Sequence, residues 1–137
     1  MSQKPKTVLI VDDDEGMRDT LTAILKRDYR VLRVASGEAA LPILNREDVD
    51  LVLLDVRLPG ISGFEVLRIL KENYSLLEVI MISAITDVET AVQAMKHGAY
   101  HYVTKDFDYD QLRSLVRNAS ERQDLNRQVM IDRKSVV

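Results

Sequence analysis

The sequence has no cysteine and no tryptophan, and its aromatic residues are limited to five tyrosines and two phenylalanines. Without cysteine the chain forms neither disulfides nor thiolate metal sites, and a reducing, cytoplasmic location is expected. The few aromatic rings argue against a stacking surface for single-stranded nucleic acid. Lysine and arginine are scattered and form no basic stripe, so no direct contact with nucleic acid is expected.

Long apolar runs are also missing. No segment approaches the roughly 18 to 20 apolar residues that a membrane-spanning helix needs. The N-terminal MSQKPK is too short and too polar for a secretory signal. We therefore expect a soluble protein without membrane contact, and its 137 residues suit one compact domain.

Five short segments have the composition of β-strands. Residues 7–12, 51–55 and 78–83 are almost wholly apolar, which is typical of strands buried on both faces of a parallel sheet. Residues 29–35 alternate and are expected nearer an edge, and residues 99–104 form a short, β-prone segment. The chain therefore supplies five strands.

Helical patterns separate these strands, with apolar residues recurring every three or four positions. The regular alternation predicts an α/β fold with a single doubly wound five-stranded parallel sheet, strand order 2-1-3-4-5 and helices on both faces. The fifth helix is expected near residues 112–119. Residues 119–137 contain no proline or glycine and are expected to continue it, as a linker helix or as a fraying tail.

Carboxylates stand at the ends of two strands that this order makes neighbours. Asp12 and Asp13 close the first strand and Asp55 closes the third, so the three side chains are expected to converge. Three acidic oxygen donors without histidine or cysteine suit Mg²⁺ or Mn²⁺. The alternative is that Asp12 to Glu15 only cap the first helix and favour its dipole.

Two further polar residues are expected on the same rim of the sheet. Ser83 ends the fourth strand with a hydroxyl, and Lys105 follows the fifth with an ammonium group. Together with a metal and a carboxylate they describe a phosphoryl site in which Asp55 is the nucleophile. Taken singly, Ser83 could be a turn residue, Lys105 a solvated side chain and Tyr102 a packing residue.

Four segments carry a family resemblance: VLIVDDDEGMR, LVLLDVRLPGISGFEVL, VIMISA and GAYHYVTKDFD. Together they resemble the receiver domain of two-component response regulators over about residues 5–122, which leaves residues 123–137 as a helical linker or tail. DVRLPG and TAVQAMKHGAYHYVTKDFD are most similar to receivers of NtrC-class, sigma-54-dependent activators. The chain is then such a receiver with its linker, or a free-standing receiver.

The resemblance implies a role for each acidic residue of the site. Asp55 matches the aspartate that a sensor histidine kinase phosphorylates. Asp13 matches a direct Mg²⁺ ligand, Asp12 its water-mediated partner, and the backbone carbonyl of Arg57 a further ligand. Phosphorylation would be the input signal, and the domain would turn over no separate substrate.

The resemblance also implies how the signal leaves the site. Ser83 and Lys105 would bind the phosphoryl oxygens, and Tyr102 would rotate inward once Ser83 moves. Arg57 and Ile85 match positions that tune the phosphoryl lifetime, and an apolar Ile85 cannot orient a water, so self-dephosphorylation should be slow.

Partners follow from the same resemblance. The surface of the fourth helix, fifth strand and fifth helix would switch, and a homodimer is expected through that surface or through the C-terminal helix. The kinase would dock on the first helix around Met17, Arg18 and Leu21.

One position departs from the family and keeps rival interpretations open. Asp106 stands where the family usually has proline after a cis peptide, so we expect a trans Lys105–Asp106 bond, and the added carboxylate could compete for Lys105. A pseudo-receiver that takes no phosphoryl group is one alternative.

Two other classes of protein would need residues that this sequence does not have at the corresponding positions. A haloacid-dehalogenase phosphatase would need an acid where Arg57 stands, and a flavodoxin-like protein would need a phosphate loop in place of DDDEG.

Overall fold

In the computed structural model of the chain, strands and helices alternate from Thr7 onward. The structure describes residues 4–135, with side chains up to residue 131. The strands are β1 (Thr7–Val11), β2 (Arg30–Val34), β3 (Leu51–Asp55), β4 (Glu78–Ser83) and β5 (His101–Thr104). The helices are α1 (Glu15–Leu25), α2 (Gly37–Arg46), α3 (Gly63–Asn73), α4 (Val88–Lys96) and α5 (Tyr109–Ser135).

The five strands form one parallel sheet in the order β2-β1-β3-β4-β5, which confirms the predicted fold class. The pairing of β1 with β3 places Val11 opposite Leu54. Their carboxyl ends therefore lie side by side, and the chain segments that follow them meet at one rim.

Alternate side chains of the central strands fill two apolar cores, one on each face of the sheet. Val8 and Ile10 of β1 pack with α1 and α5, whereas Leu9 and Val11 pack with α2, α3 and α4. The central strands β1, β3 and β4 are buried along their whole length, and only β2 and β5 at the edges are partly exposed. This distribution is the reason why their sequences are continuous apolar runs.

Most element ends lie within a residue or two of the expected positions. The expected fifth strand began at residue 99, but β5 starts at His101. Gly98 ends the α4 segment with a backbone φ of +97°, and the N–H of Ala99 still donates to the carbonyl of Ala94 in that helix. The N–H of Tyr100 already donates to the carbonyl of Val79 in β4, so the chain leaves the helix at residues 98–99 and contacts the sheet from Tyr100.

The last helix runs without a break from Tyr109 to Ser135, so the boundary expected between residues 122 and 123 falls inside α5. Residues 136–137 of the expected tail lie outside the described residues. Gln123 is buried against the start of β3, where its side-chain amide donates to the carbonyl of Asp50 at 2.6 Å. In the described part of the chain, no helix has the length and apolar content to cross a membrane.

Candidate phosphoryl and metal site

Three carboxylates converge where β1 and β3 end, as the sequence predicts. One oxygen each from Asp12, Asp13 and Asp55 lies within 4.8 Å of the others. Asp12 and Asp55 are buried, at 2% and 4% exposure, whereas Asp13 faces solvent. Mg²⁺ binds oxygen at about 2.0–2.1 Å and usually keeps several waters, so a cation among these carboxylates would contact some of them directly and others through water. The residues thus fit a hard divalent cation with an open, water-accessible side.

Lys105 reaches this cluster from the end of β5. Its Nζ lies 3.0 Å from Oδ2 of Asp55 and 3.1 Å from Oδ2 of Asp12. Burial lowers the pKa of Lys105, but the hydrogen bonds and charges of Asp55 and Asp12 outweigh it and leave the pKa raised. The ammonium group therefore stays charged and offsets part of the negative charge of the cluster.

The ionised form of Asp55 is disfavoured by its surroundings. Burial raises the pKa of Asp55, and the charge of Asp12 raises it further, against the lowering by Lys105 and by the backbone N–H of Arg57. That N–H donates to Oδ1 of Asp55 at 3.2 Å. The carboxylate is thus oriented on one side while burial and Asp12 make its negative charge costly.

Ser83 and Tyr102 both bind the backbone of Ile85. The N–H of Ile85 donates to Oγ of Ser83 at 3.1 Å, and the hydroxyl of Tyr102 donates to the carbonyl of Ile85 at 2.6 Å. The Ile85 side chain is half-buried against the core on the α3 and α4 face of the sheet. The strand-end hydroxyl and the aromatic residue are therefore linked through one residue of the β4–α4 connection.

Arg57 lies two residues past the end of β3, in the bend that follows this strand, and its side chain is exposed. Its backbone N–H contacts Asp55 as described, while the predicted roles of its carbonyl as a metal ligand and of its side chain in phosphoryl lifetime stay predictions.

Asp106, which stands where the family usually has proline, forms a hydrogen bond with a neighbouring residue. Among residues 4–135 no peptide bond is cis, so Lys105–Asp106 is trans, as predicted. The carboxylate of Asp106 does not compete for Lys105 in this structure but accepts a hydrogen bond from Oγ1 of Thr104. The Lys105 ammonium group contacts Asp12 and Asp55 instead.

The sequence did not predict two contacts next to the site, one made by Arg18 and one by Gly63. Arg18 of α1 donates from Nη1 to the backbone carbonyl of Asp12 at 2.7 Å. A Cβ atom on Gly63 would lie 2.1 Å from the carbonyl oxygen of Asp55, so α3 begins in direct contact with the end of β3. The predicted kinase-docking position Leu21 is also corrected, since its side chain is 1% exposed and belongs to the core.

The comparisons with known proteins identify the family of this chain. Residues 8–117 match the response regulator receiver domain family. The chain is 44% identical over 133 residues to an NtrX-like response regulator of Rickettsia felis, with 95% of this chain and 28% of that protein covered. It is 36% identical over 113 residues to the DNA-binding transcriptional regulator NtrC of Proteus hauseri, covering 82% of this chain and 24% of that protein.

A solved structure shows the same fold. NtrX of Brucella abortus, in complex with ADP, superimposes with a TM-score of 0.87 at 32% identity, covering 93% of this chain and 30% of that one. The chain therefore belongs to the receiver domains of two-component response regulators, and its sequence is consistent with the NtrC class. It spans about a quarter of the length of these curated relatives.

Proposed function

We propose that this receiver accepts a phosphoryl group on Asp55 from the phosphohistidine of a sensor kinase. The observation that carries the proposal is the placement of Asp55 between the carboxylates of Asp12 and Asp13 and the ammonium group of Lys105. An oxygen of Asp55 forms the new P–O bond while the P–N bond of the donor breaks. The electron pair of that bond stays on the imidazole nitrogen, which takes up a proton from solvent.

A divalent cation completes the charge balance of the site. Asp12, Asp13, Asp55 and the backbone carbonyl of Arg57 would hold Mg²⁺ or Mn²⁺, which neutralises charge on the transferring phosphoryl group. The product adds about −1.5 to −2 charge to an acidic cluster. Lys105 already contacts Asp55, and its ammonium group can move to the new phosphoryl oxygens.

The switch follows from the contacts of Ile85. The hydroxyl hydrogen of Ser83 has no acceptor among the described residues, so it can donate to a phosphoryl oxygen. When Ser83 moves towards that oxygen, the N–H of Ile85 loses its acceptor and the carbonyl that holds Tyr102 shifts. Phosphorylation thereby changes the population of two arrangements of the surface formed by α4, β5 and α5.

The phosphoryl group should persist after transfer. Ile85 offers no polar atom to orient an attacking water, and we expect slow self-dephosphorylation, with the exposed Arg57 tuning access. We expect Ile85→Glu to shorten the half-life of the phosphorylated protein several-fold, measured by the decay of the adduct. An unchanged half-life would count against this role of Ile85.

The output is inferred from the relatives. One matched protein is named as a DNA-binding transcriptional regulator. We infer that this chain is the receiver of an NtrC-class, sigma-54-dependent regulator in the cytoplasm, with no direct nucleic-acid or membrane contact of its own. It acts as a phosphoacceptor rather than an enzyme with a separate substrate, and its partners are a sensor histidine kinase and a second copy of the chain.

A small phosphodonor tests the central step. Incubation with acetyl phosphate and Mg²⁺ should add the mass of one phosphoryl group, and the adduct should be absent in Asp55→Asn and without the metal. Asp48→Asn is the matched control, because Asp48 is an exposed carboxylate outside the site. A folded parent protein that gains no adduct would contradict the proposal and favour the pseudo-receiver.

A further inference from the structure

The carboxylate of Asp13 is positioned by backbone alone. Asp12 is buried and contacts Lys105, and Asp55 contacts both Lys105 and the N–H of Arg57. Asp13 is exposed, and no hydrogen bond or ion pair holds its side chain in the described part of the chain. Its distance from the other two carboxylates therefore depends on how the turn between β1 and α1 is fixed.

Arg18 is the side chain that fixes this turn from α1. Its Nη1 donates at 2.7 Å to the carbonyl of Asp12, which belongs to the peptide unit joining Asp12 to Asp13. The other anchors of the turn are backbone N–H groups: Asp12 N–H donates to the Val34 carbonyl at 3.2 Å, and Asp14 N–H to Oδ1 of Asp12 at 2.9 Å. Among the described residues, Arg18 is the one side chain that donates a hydrogen bond to the carbonyl oxygen of the Asp12–Asp13 peptide.

We propose that Arg18 is a positioning residue for the metal site, which holds Asp13 at coordination distance by fixing the Asp12–Asp13 peptide. The inference rests on the proposed Mg²⁺ binding and adds a residue that does not touch the metal. Residues that orient metal ligands typically change metal affinity by about 10- to 100-fold when they are removed. Arg18 acts on the backbone of one ligand, so the lower end of that range is expected.

The charge of Arg18 and its hydrogen bond act on metal affinity in opposite directions. A cation near the site repels Mg²⁺, so removal of the charge alone would strengthen binding. Loss of the hydrogen bond releases the turn and would weaken binding. The sign of the change therefore separates positioning from simple electrostatics, and a purely structural role would lower stability without changing affinity.

Cation selectivity supplies a second discriminating measurement. Mg²⁺ requires near-ideal octahedral geometry, whereas Ca²⁺ tolerates irregular and variable coordination. If Arg18 holds the ligand geometry, its removal should weaken Mg²⁺ binding more than Ca²⁺ binding. A change in charge alone would affect the two divalent cations about equally.

The experiment is a titration of the whole chain with Mg²⁺ and with Ca²⁺, followed through backbone amide NMR resonances. We expect Arg18→Met to raise the Mg²⁺ dissociation constant about tenfold and the Ca²⁺ constant by less. Arg30→Met is the matched control, since Arg30 pairs with Glu47 away from this turn, and its dissociation constants should stay within about twofold. If Arg18→Met does not fold, Arg18→Lys, which lacks the planar fork, should still weaken Mg²⁺ binding several-fold.

The possible outcomes are distinct. Unchanged or tighter Mg²⁺ binding in the folded Arg18→Met protein would overturn the positioning role, and so would an equal loss for both cations. A parent protein that binds no Mg²⁺ would instead overturn the metal part of the proposed function, and the role of Arg18 with it.

Discussion

Asp55 is a buried carboxylate whose negative charge is costly in the folded protein. It is 4% exposed and lies beside Asp12, so its ionised form is desolvated and repelled, and Lys105 compensates only in part. The cation that we propose for this site would reduce the repulsion between the two carboxylates.

The cost of the buried negative charge predicts that, without divalent metal, the effect of Asp55→Asn on stability depends on pH. The pKa of Asp55 is higher in the folded state than the value of about 4 for an unfolded aspartate. The parent protein therefore loses stability as the pH rises from about 4 through the pKa of the folded state. Asparagine does not titrate, so the variant should be more stable at pH 7, by on the order of 1 kcal/mol, and lose this advantage at or below pH 4.

Urea unfolding with EDTA at both pH values measures the difference, and Asp48→Asn is the exposed control. A variant that is equally or less stable than the parent at pH 7 would contradict the burial argument.

Gly63 is a second residue that matters to the site, because the backbone at the end of β3 leaves no room for a side chain at this position. A Cβ atom there would meet the carbonyl oxygen of Asp55 at 2.1 Å and Cα of Val56 at 2.7 Å, both backbone atoms that cannot rotate away. We expect Gly63→Ala to cost roughly 1–3 kcal/mol of unfolding free energy and to slow phosphorylation by displacing Asp55. Gly16→Ala is the control, because its Cβ would meet only a side-chain oxygen of Asp14 at 3.3 Å.

Chemical unfolding and the rate of adduct formation with acetyl phosphate test both effects. Equal stability and rate in Gly63→Ala and the parent would show that the end of β3 accommodates the methyl group.

The sequence identified Asp12, Asp13, Asp55, Ser83 and Lys105 as residues of one rim because each follows a recognisable strand. It named Arg18 only as a docking residue and did not single out Gly63. Their importance depends on a hydrogen bond to a carbonyl and on an approach between a helix and a strand, and neither leaves a periodic pattern in the sequence.

At the scale of elements, the hydrophobic pattern predicted the first four strands and the five helices, because each buries a continuous face or run, whereas β5 was predicted from its β-prone composition. The start of β5 and the contacts of α5 were harder to predict, since polar interactions determine them. The first turn of α5 illustrates this, because the side chain of Asp108 accepts from the N–H groups of Asp110 and Gln111. Caps of this kind are visible in sequence only once the helix is placed.

The middle of α5 is fixed to the rim of the sheet opposite the phosphoryl site. Gln123 is 1% exposed and donates to the carbonyls of Asp50 and Leu76, while its Oε1 accepts from Lys6 at 3.1 Å. Lys6 also pairs with Asp124 at 2.7 Å. The helix therefore leaves the sheet in a direction that these contacts determine.

We expect Gln123→Leu to lower the unfolding free energy by roughly 1–3 kcal/mol, because buried carbonyls and the Lys6 ammonium lose a partner. Gln111→Leu on the same helix is the control, since Gln111 is exposed, and it should change stability by less than about 0.5 kcal/mol. Urea unfolding compares them, and equal effects of the two substitutions would contradict the fixing role of Gln123.

For the whole molecule, two apolar surfaces are available to a second copy of the chain. Val88, Val92 and Met95 of α4 are 78%, 42% and 48% exposed. The second surface lies on the far part of α5 and consists of Leu125, Val129, Met130 and Ile131. Exposed apolar clusters of this kind commonly mark interaction sites, which supports a homodimer through one or both.

The two surfaces should respond differently to phosphorylation. Val92 and Met95 line one cleft with Tyr102, which Ile85 connects to Ser83, whereas the α5 surface lies beyond the contacts of Gln123 at the opposite rim. We therefore expect acetyl phosphate and Mg²⁺ to strengthen self-association, and Val92→Glu to abolish that increase. Val129→Glu should weaken association equally with and without phosphorylation.

Sedimentation velocity of the parent, the two variants and Asp55→Asn separates these cases. A phosphorylation-dependent increase that survives Val92→Glu would show that the signal does not pass through the α4 surface. An increase that persists in Asp55→Asn would show that it does not begin at Asp55. Because the Val92 and Val129 substitutions introduce the same charge on exposed helical positions, a difference between them reports the location of the surface rather than the added glutamate.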